Sequence, residues 1–136
     1  MAANFTSPPN RDAYYALVWD LVRQIPEGKV STYGQIAGLI PPPEGMSPKD
    51  YDAWGARWVG GAMARCPDDV PWQRVINAQG KISQRAGSGF RVQQDILESE
   101  GVEFNDRQRV DLSRYRWAGP SDEWMRAHGL PPLGGT

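Results

Sequence analysis

The chain has 136 residues, two-fifths of them hydrophobic, which suits one domain with a single core and leaves little room for a second. A formal net charge of −1 argues mildly against a nucleic-acid partner, and no apolar run approaches the roughly 20 residues of a membrane span. The single cysteine, Cys66, excludes an internal disulfide and fits a reducing cytosol; with His128 the only histidine, no structural metal and no cofactor are expected.

In chain order, residues 1–11 read as a flexible, polar arm without the charged-then-apolar pattern of a secretory signal. Asn10 is a natural N-cap for a helix reaching residue 23 or 24, with Tyr15, Val18, Trp19 and Val22 forming one apolar stripe. Pro26-Glu27-Gly28 marks a turn. Ser31 is placed to cap a short helix from 32 to 39 or 40, which Pro41-Pro42-Pro43 stops. Residues 41–52 read as a proline-rich loop inserted between two helices. Glu44, Asp50 and Asp52 make it a poor DNA contact and leave a protein partner open. A second short helix is expected over 53–65, with Pro67 just beyond it.

Two short helices joined by a turn resemble a helix-turn-helix, although this turn is long for one. Residues 74–77 and 81–83, around the turn Ala78-Gln79-Gly80, read as a small hairpin or wing. Gly87-Ser88-Gly89 opens a helix over 90–100 with Val92, Ile96 and Leu97 inward, ended by Gly101 in the left-handed conformation. Residues 102–104 and 110–112 are expected to pair as a final hairpin. Residues 118–136 read as a tail in which Ser121 caps one turn containing Trp124 and Met125. The expected fold is α/β, a winged helix-turn-helix-like domain over 12–117 with mostly short helices and small β-hairpins.

The charge is unevenly spread. Residues 54–94 hold six basic side chains against two acidic ones, while the segments on either side are acidic on balance. Such an island can neutralise phosphates, and it can equally be an ordinary solvated surface. Within it, Ala56, Gly60, Gly61 and Ala64 share one helix face. Each glycine costs about 1 kcal/mol relative to alanine in a helix interior, so something compensates. Close helix packing is one explanation. The other is DNA: a helix is about 10–12 Å across and the minor groove about 6 Å wide, so a face stripped of side chains can approach a groove that is bent open. Arg57 would then project from a smooth surface into the base stack.

Five segments carry a more specific pattern in one order: Val30-Ser-Thr-Tyr-Gly-Gln-Ile-Ala37, Ala56-Arg-Trp-Val-Gly-Gly-Ala-Met63, Pro71-Trp-Gln-Arg-Val-Ile-Asn77, Gly80-Lys-Ile-Ser-Gln-Arg85 and Leu97-Glu-Ser-Glu-Gly-Val102. Together they resemble the DNA-binding domain of the O6-alkylguanine-DNA alkyltransferases, and more closely the alkyltransferase-like proteins, its non-catalytic branch. The resemblance implies binding of double-stranded DNA containing O6-alkylguanine, with the damaged nucleotide flipped out of the helix. In the repair enzymes the central motif is Pro-Cys-His-Arg-Val and the cysteine accepts the alkyl group. Here Trp72 stands in the cysteine's place, and indole offers no thiolate. Gln73 replaces the histidine, which the alkyltransferase-like branch retains, and glutamine is no general base near neutral pH. No catalytic residue and no enzymatic activity are therefore expected. Cys66 reads as a small half-buried thiol, and a residual transferase that uses it is the enzymatic alternative.

The resemblance further implies that Tyr33 presses on the phosphate beside the target and that Arg57 fills the vacated stack. Trp72, Arg85, Pro71, Val75, Met63 and Tyr33 would form the lesion pocket. Ala56, Gly60 and Gly61 would face the groove, and Thr32, Gln35 and Arg65 are candidate phosphate contacts. Arg74 reads as internal scaffold that bonds backbone carbonyls. Asn77 shapes the turn behind the pocket, and Glu100, at the family's relay glutamate, keeps a structural role. A monomer in the cytoplasm, nucleoid-associated, or in a nucleus is expected, with nucleotide excision repair proteins as the inherited partners. A sequence-specific winged-helix regulator is the rival of a different class, but the Gly/Ala face lies where base-edge readers would sit.

Overall fold

The computed structural model describes residues 7–82 and 89–132. Helix α1 (Arg11–Arg23) starts where expected, because the Asn10 side chain accepts from the Ala13 amide at 3.2 Å. It buries Tyr14, Tyr15, Val18, Leu21 and Val22. Strand β1 (Ser31–Thr32) leads into helix α2 (Tyr33–Gly38). The cap of α2 is Thr32 rather than Ser31. Val30 is held between Tyr115 and Trp117, and the strand continues through Thr32, so the helix begins one residue later than expected; the Thr32 hydroxyl accepts from the Gln35 amide while the Ser31 hydroxyl donates to the Gln35 side chain.

Helix α3 (Pro48–Met63) is longer than the sequence pattern suggested and includes five residues assigned to the inserted loop. Ser47 caps it by accepting from Asp50, and Pro48 opens it. A proline at the first helical position costs no hydrogen bond and has its φ pre-set, so Pro48 starts the helix it was expected to delay. The loop proper is 41–47.

The sheet is two strands, β1 and β2 (Val75–Ile76), paired in parallel with Ser31 opposite Val75 and Thr32 opposite Ile76. A 3-10 turn, Trp72–Arg74, leads into β2. Among the described residues the expected wing hairpin is represented by its turn, where Asn77 donates to the Lys81 carbonyl at 2.9 Å; Val75 and Ile76 pair with β1, and Ser83 lies outside the described residues. Helix α4 (Gly89–Ser99) ends in the two crossing hydrogen bonds of a Schellman motif, Gly101 to Glu98 and Val102 to Leu97, with Gly101 at φ +98. Leu97 is buried as expected and Ile96 half-buried, but Val92 is 52% exposed and Gln93 turns inward in its place. The final hairpin is a single antiparallel bridge, Phe104 with Val110, since Leu112 already begins helix α5 (Leu112–Tyr115).

The segment read as a tail packs. Ser121 caps helix α6 (Asp122–Ala127), Met125 is fully buried, and Leu130 is nearly so. Both join Trp117 in the core of α1, α2 and α3. Apolar residues spaced among the glycines and prolines were enough to anchor it. A second cluster, Val30, Ile76, Ile82, Leu97, Val102, Val110 and Tyr115, lies on the other side of the sheet. Val75 and Ile76 therefore face different cores, as adjacent strand residues do. The α/β, winged helix-turn-helix-like class is the one observed.

Gly80 joins the turn to the second cluster. Its φ is +79, and a Cβ there would lie 2.5 Å from the Val110 carbonyl oxygen. Gly80→Ala is expected to lower stability by about 1–3 kcal/mol, the usual range for one strained backbone position. Urea unfolding reads this directly, and a midpoint equal to the parent's would mean that the turn relaxes away from Val110.

Candidate DNA-lesion site

The exposed half of α3 carries the smooth face. Ala56, Gly60 and Gly61 are half-buried and Ala64 is exposed. Helix packing accounts for one of the glycines: a Cβ on Gly61 would stand 2.5 Å from the Tyr15 hydroxyl oxygen. The Trp19 indole N–H also donates to the Ala62 carbonyl at 2.8 Å, pinning α1 to this turn of α3. Gly61 thus serves the α1 contact, and its assignment to the groove face alone does not hold.

Arg57 is exposed, and its guanidinium carbon lies 5.0 Å from the centre of the Trp54 ring, one turn earlier on the same helix. Arg65 is exposed just past the end of α3. Tyr33 is half-buried as the first residue of α2. Thr32 is 2% exposed and its hydroxyl is engaged in capping α2. Its side chain is therefore removed from the phosphate contacts. Gln35 is engaged too: it accepts from the Ser31 hydroxyl and donates to the Trp117 carbonyl.

Trp72 stands on the wall of a cavity of about 280 Å3 lined by Met63, Ala64, Cys66, Pro67, Asp68 and Trp72. The end of α3 supplies Met63 and Ala64, the following loop Cys66, Pro67 and Asp68, and the 3-10 turn Trp72. Trp72 and Met63, both expected at the site, thus line one cavity. Pro71 is half-buried beside them. Val75 is not a wall of this cavity: at 1% exposure it belongs to the main core, because β2 turns its side chain inward. Tyr33 and Arg57 are not among the described lining residues of this cavity, and Arg85 lies outside the described residues. Sequence reasoning missed Ala64, Pro67 and Asp68 as cavity lining and Trp54 as the neighbour of Arg57. The i, i+3 spacing of Trp54 and Arg57 was the available signal.

Behind Trp72 a polar network fixes the turn. Arg74 donates two hydrogen bonds to the Glu100 carboxylate, each at 3.0 Å, and a third to the Ile25 carbonyl at 2.8 Å. The Gln73 side-chain amide donates to the same carboxylate at 2.9 Å. The Gln93 amide donates to the carbonyls of Gln73 and Val75, which explains its inward position on α4. Burial disfavours the Glu100 carboxylate ion, but the bonds from Arg74 and Gln73 outweigh it and hold the carboxyl below its ordinary range. Asn77 accepts from the amides of Gln79 and Lys81, shaping the turn after β2. On the other flank, Arg23 bonds Asp69 through two nitrogens, at 2.9 and 3.2 Å, tying the cavity loop to α1. That pair is exposed and contributes little to stability.

A family model described as the 6-O-methylguanine DNA methyltransferase DNA-binding domain matches residues 13–102. The chain belongs to this family. The matched span runs from α1 through the Schellman turn after α4, and so contains the smooth face of α3, Trp72 and the Glu100 network. Among family relatives, the DNA base-flipping protein of Escherichia coli is 39% identical over 108 residues, covering 78% of this chain and 75% of that protein. Alkyltransferase-like protein 1 of Schizosaccharomyces pombe is 42% identical over 113 residues, covering 78% of this chain and 95% of its own. A crystal structure of the S. pombe protein in complex with damaged DNA containing O6-carboxymethylguanine superposes with a TM-score of 0.62 at 42% identity, covering 78% of this chain and 95% of that one.

The Glu100 network has a measurable acid signature. Its folded carboxyl titrates below the ordinary value of 4.5, so the stability it contributes is complete above that value and is lost as pH falls through the lower, folded one. Glu100→Ala removes this dependence and leaves the half-buried Arg74 with only its bond to the Ile25 carbonyl, a change expected to cost about 1–3 kcal/mol. Thermal melts of parent and variant between neutral pH and pH 3 are expected to converge as the medium becomes acidic. Parallel curves would exclude Glu100 as the source.

Proposed function

We propose that this protein is a non-enzymatic damage sensor that binds O6-alkylguanine in duplex DNA, everts the lesion, and marks it for nucleotide excision repair. The observation that carries the reading is Trp72, an aromatic side chain on a cavity wall in the turn where the resemblance to the repair enzymes calls for a nucleophilic cysteine. An indole cannot accept an alkyl group as a thiolate does, but its face can contact one. Support also comes from relatives named for base flipping and from the S. pombe protein bound to O6-carboxymethylguanine DNA. Gln73 fits a site that only binds: it keeps a hydrogen bond to Glu100 without taking up or releasing a proton.

In this reading the smooth part of the α3 face, Ala56 and Gly60 with the surface around Gly61, approaches an opened minor groove. Arg57 fills the vacated stack, Tyr33 presses on the neighbouring phosphate and Arg65 contacts the backbone. Trp72, Met63 and Pro71 receive the everted base, with Arg85 over the purine. Filling the hole matters because extrusion costs a few kcal/mol.

A second reading has one observation in its favour. Cys66 lines the same cavity as Trp72, so a thiol does border the proposed lesion site. Thiolate nucleophiles are supported by cationic or histidine neighbours, whereas the charged residue among the described cavity lining is Asp68. His128, the only histidine, stacks on Trp124 at 3.8 Å in the α6 region.

Two measurements test the proposal. Duplexes with and without O6-methylguanine, titrated at one salt concentration, are expected to differ in affinity, with Arg57→Ala and Tyr33→Ala each losing about tenfold or more on the lesion duplex. Equal affinity for the two duplexes would favour a sequence-specific regulator. Intact-protein mass after incubation with the lesion duplex is expected to stay unchanged; gain of one methyl group that Cys66→Ser abolishes would establish Cys66 transferase chemistry instead.

A further inference from the structure

Arg57 does not stand alone on α3. Its guanidinium carbon lies 5.0 Å from the centre of the Trp54 indole, within the range of a cation–π contact. The geometry follows from the helix. Side chains three residues apart share a face, and helical side chains lean toward the N-terminus, so Arg57 runs back over the turn that carries Trp54. Trp54 is itself half-buried and packs against the core of α1, α2 and α3. The indole is the fixed partner and the guanidinium the one being held.

We propose that Trp54 is a positioning residue for Arg57, pre-setting the guanidinium for insertion into the base stack; this rests on the insertion role given to Arg57 above. An exposed arginine samples many rotamers, and one that must enter a narrow gap loses that freedom on binding. A partner that restricts the side chain beforehand reduces the loss and so tightens the complex. The same contact gives residues 48–52 a function. They form the first turn of α3, closed by the Ser47 cap and opened by Pro48, and they place Trp54 in the second turn, where its helical register over Arg57 is set. Had the helix begun at residue 53, Trp54 would sit in a fraying first turn.

The test is a double-mutant cycle on the full chain, with fluorescence-polarisation titrations of an O6-methylguanine duplex and its unmodified counterpart at one salt concentration. Trp54→Leu keeps an apolar side chain against the core but removes the aromatic face, and Trp54→Phe keeps a face. Trp54→Leu is expected to weaken lesion binding about two- to fivefold, the equivalent of one exposed cation–π contact, with Trp54→Phe closer to the parent. In the Arg57→Ala background, Trp54→Leu is expected to cost nothing further. The inference is overturned if Trp54→Leu binds as the parent does, or if its loss is undiminished without Arg57, since Trp54 would then act on DNA or on the fold by itself. The two failures are separable. Arg57→Ala with parental lesion affinity removes the flipping reading together with this one, whereas a weak Arg57→Ala beside a neutral Trp54→Leu removes this inference alone. Any general stability loss from Trp54→Leu is common to both backgrounds and cancels in the cycle.

Discussion

The Glu100 carboxylate receives three hydrogen bonds, two from the Arg74 guanidinium and one from the Gln73 amide, and through them it fixes the turn that carries Trp72. A 3-10 turn of three residues has little stability of its own. Here its second and third residues are both clamped to the end of α4, and its third is also clamped to the Ile25 carbonyl after α1. Trp72, the first residue of the turn, inherits that rigidity. The carboxylate is buried, so leaving it unpaired would be expensive, and that expense makes the arrangement specific. The Schellman turn immediately after it sets where the α4 backbone stops and thereby where the carboxylate stands.

A second set of bonds sets the smooth helix against its neighbours. The Tyr14 and Tyr51 hydroxyls lie 2.7 Å apart, and Tyr51 also donates to the Ala37 carbonyl, so one pair of phenols links α1, α3 and α2. Burial raises the titration of both phenols, and they remain neutral donors. Further along α3, Gly61 admits the Tyr15 hydroxyl and Ala62 accepts from Trp19. Of the two explanations offered for the Gly/Ala stretch, packing therefore accounts for Gly61, which is committed to α1.

How much could be read from the sequence depended on whether the deciding interaction was local. The α1 cap at Asn10, the left-handed Gly101 and the α6 cap at Ser121 all rest on neighbours within a few residues, and each was legible. Thr32 displaced Ser31 as a cap because β1 pairs with a strand more than forty residues away, which no local pattern encodes. Val92 and Gln93 exchanged places for a similar reason: the backbone carbonyls at residues 73 and 75 needed a donor, and an amide met that need where a valine could not. Pro48 misled in another way, since proline reads as a breaker until the serine before it is seen to cap. At the site, the ordered motifs picked out Trp72 and Met63, which the fold brings together. The acidic and small residues beside them come from a loop whose path only the fold determines.

Under the proposed reading, Gln73 in the place of the family histidine keeps a hydrogen bond from the turn to Glu100 without a titrating group. A histidine in that place would change charge within the physiological range and so couple the turn to pH. The glutamine amide donates to Glu100 and brings no charge of its own. Arg74 alone then balances the Glu100 carboxylate, giving a neutral pair behind the cavity. For a site that must move a proton, that fixed neutrality is a defect. For the binding role proposed above, it means that the pair adds no net charge beside the turn that carries Trp72.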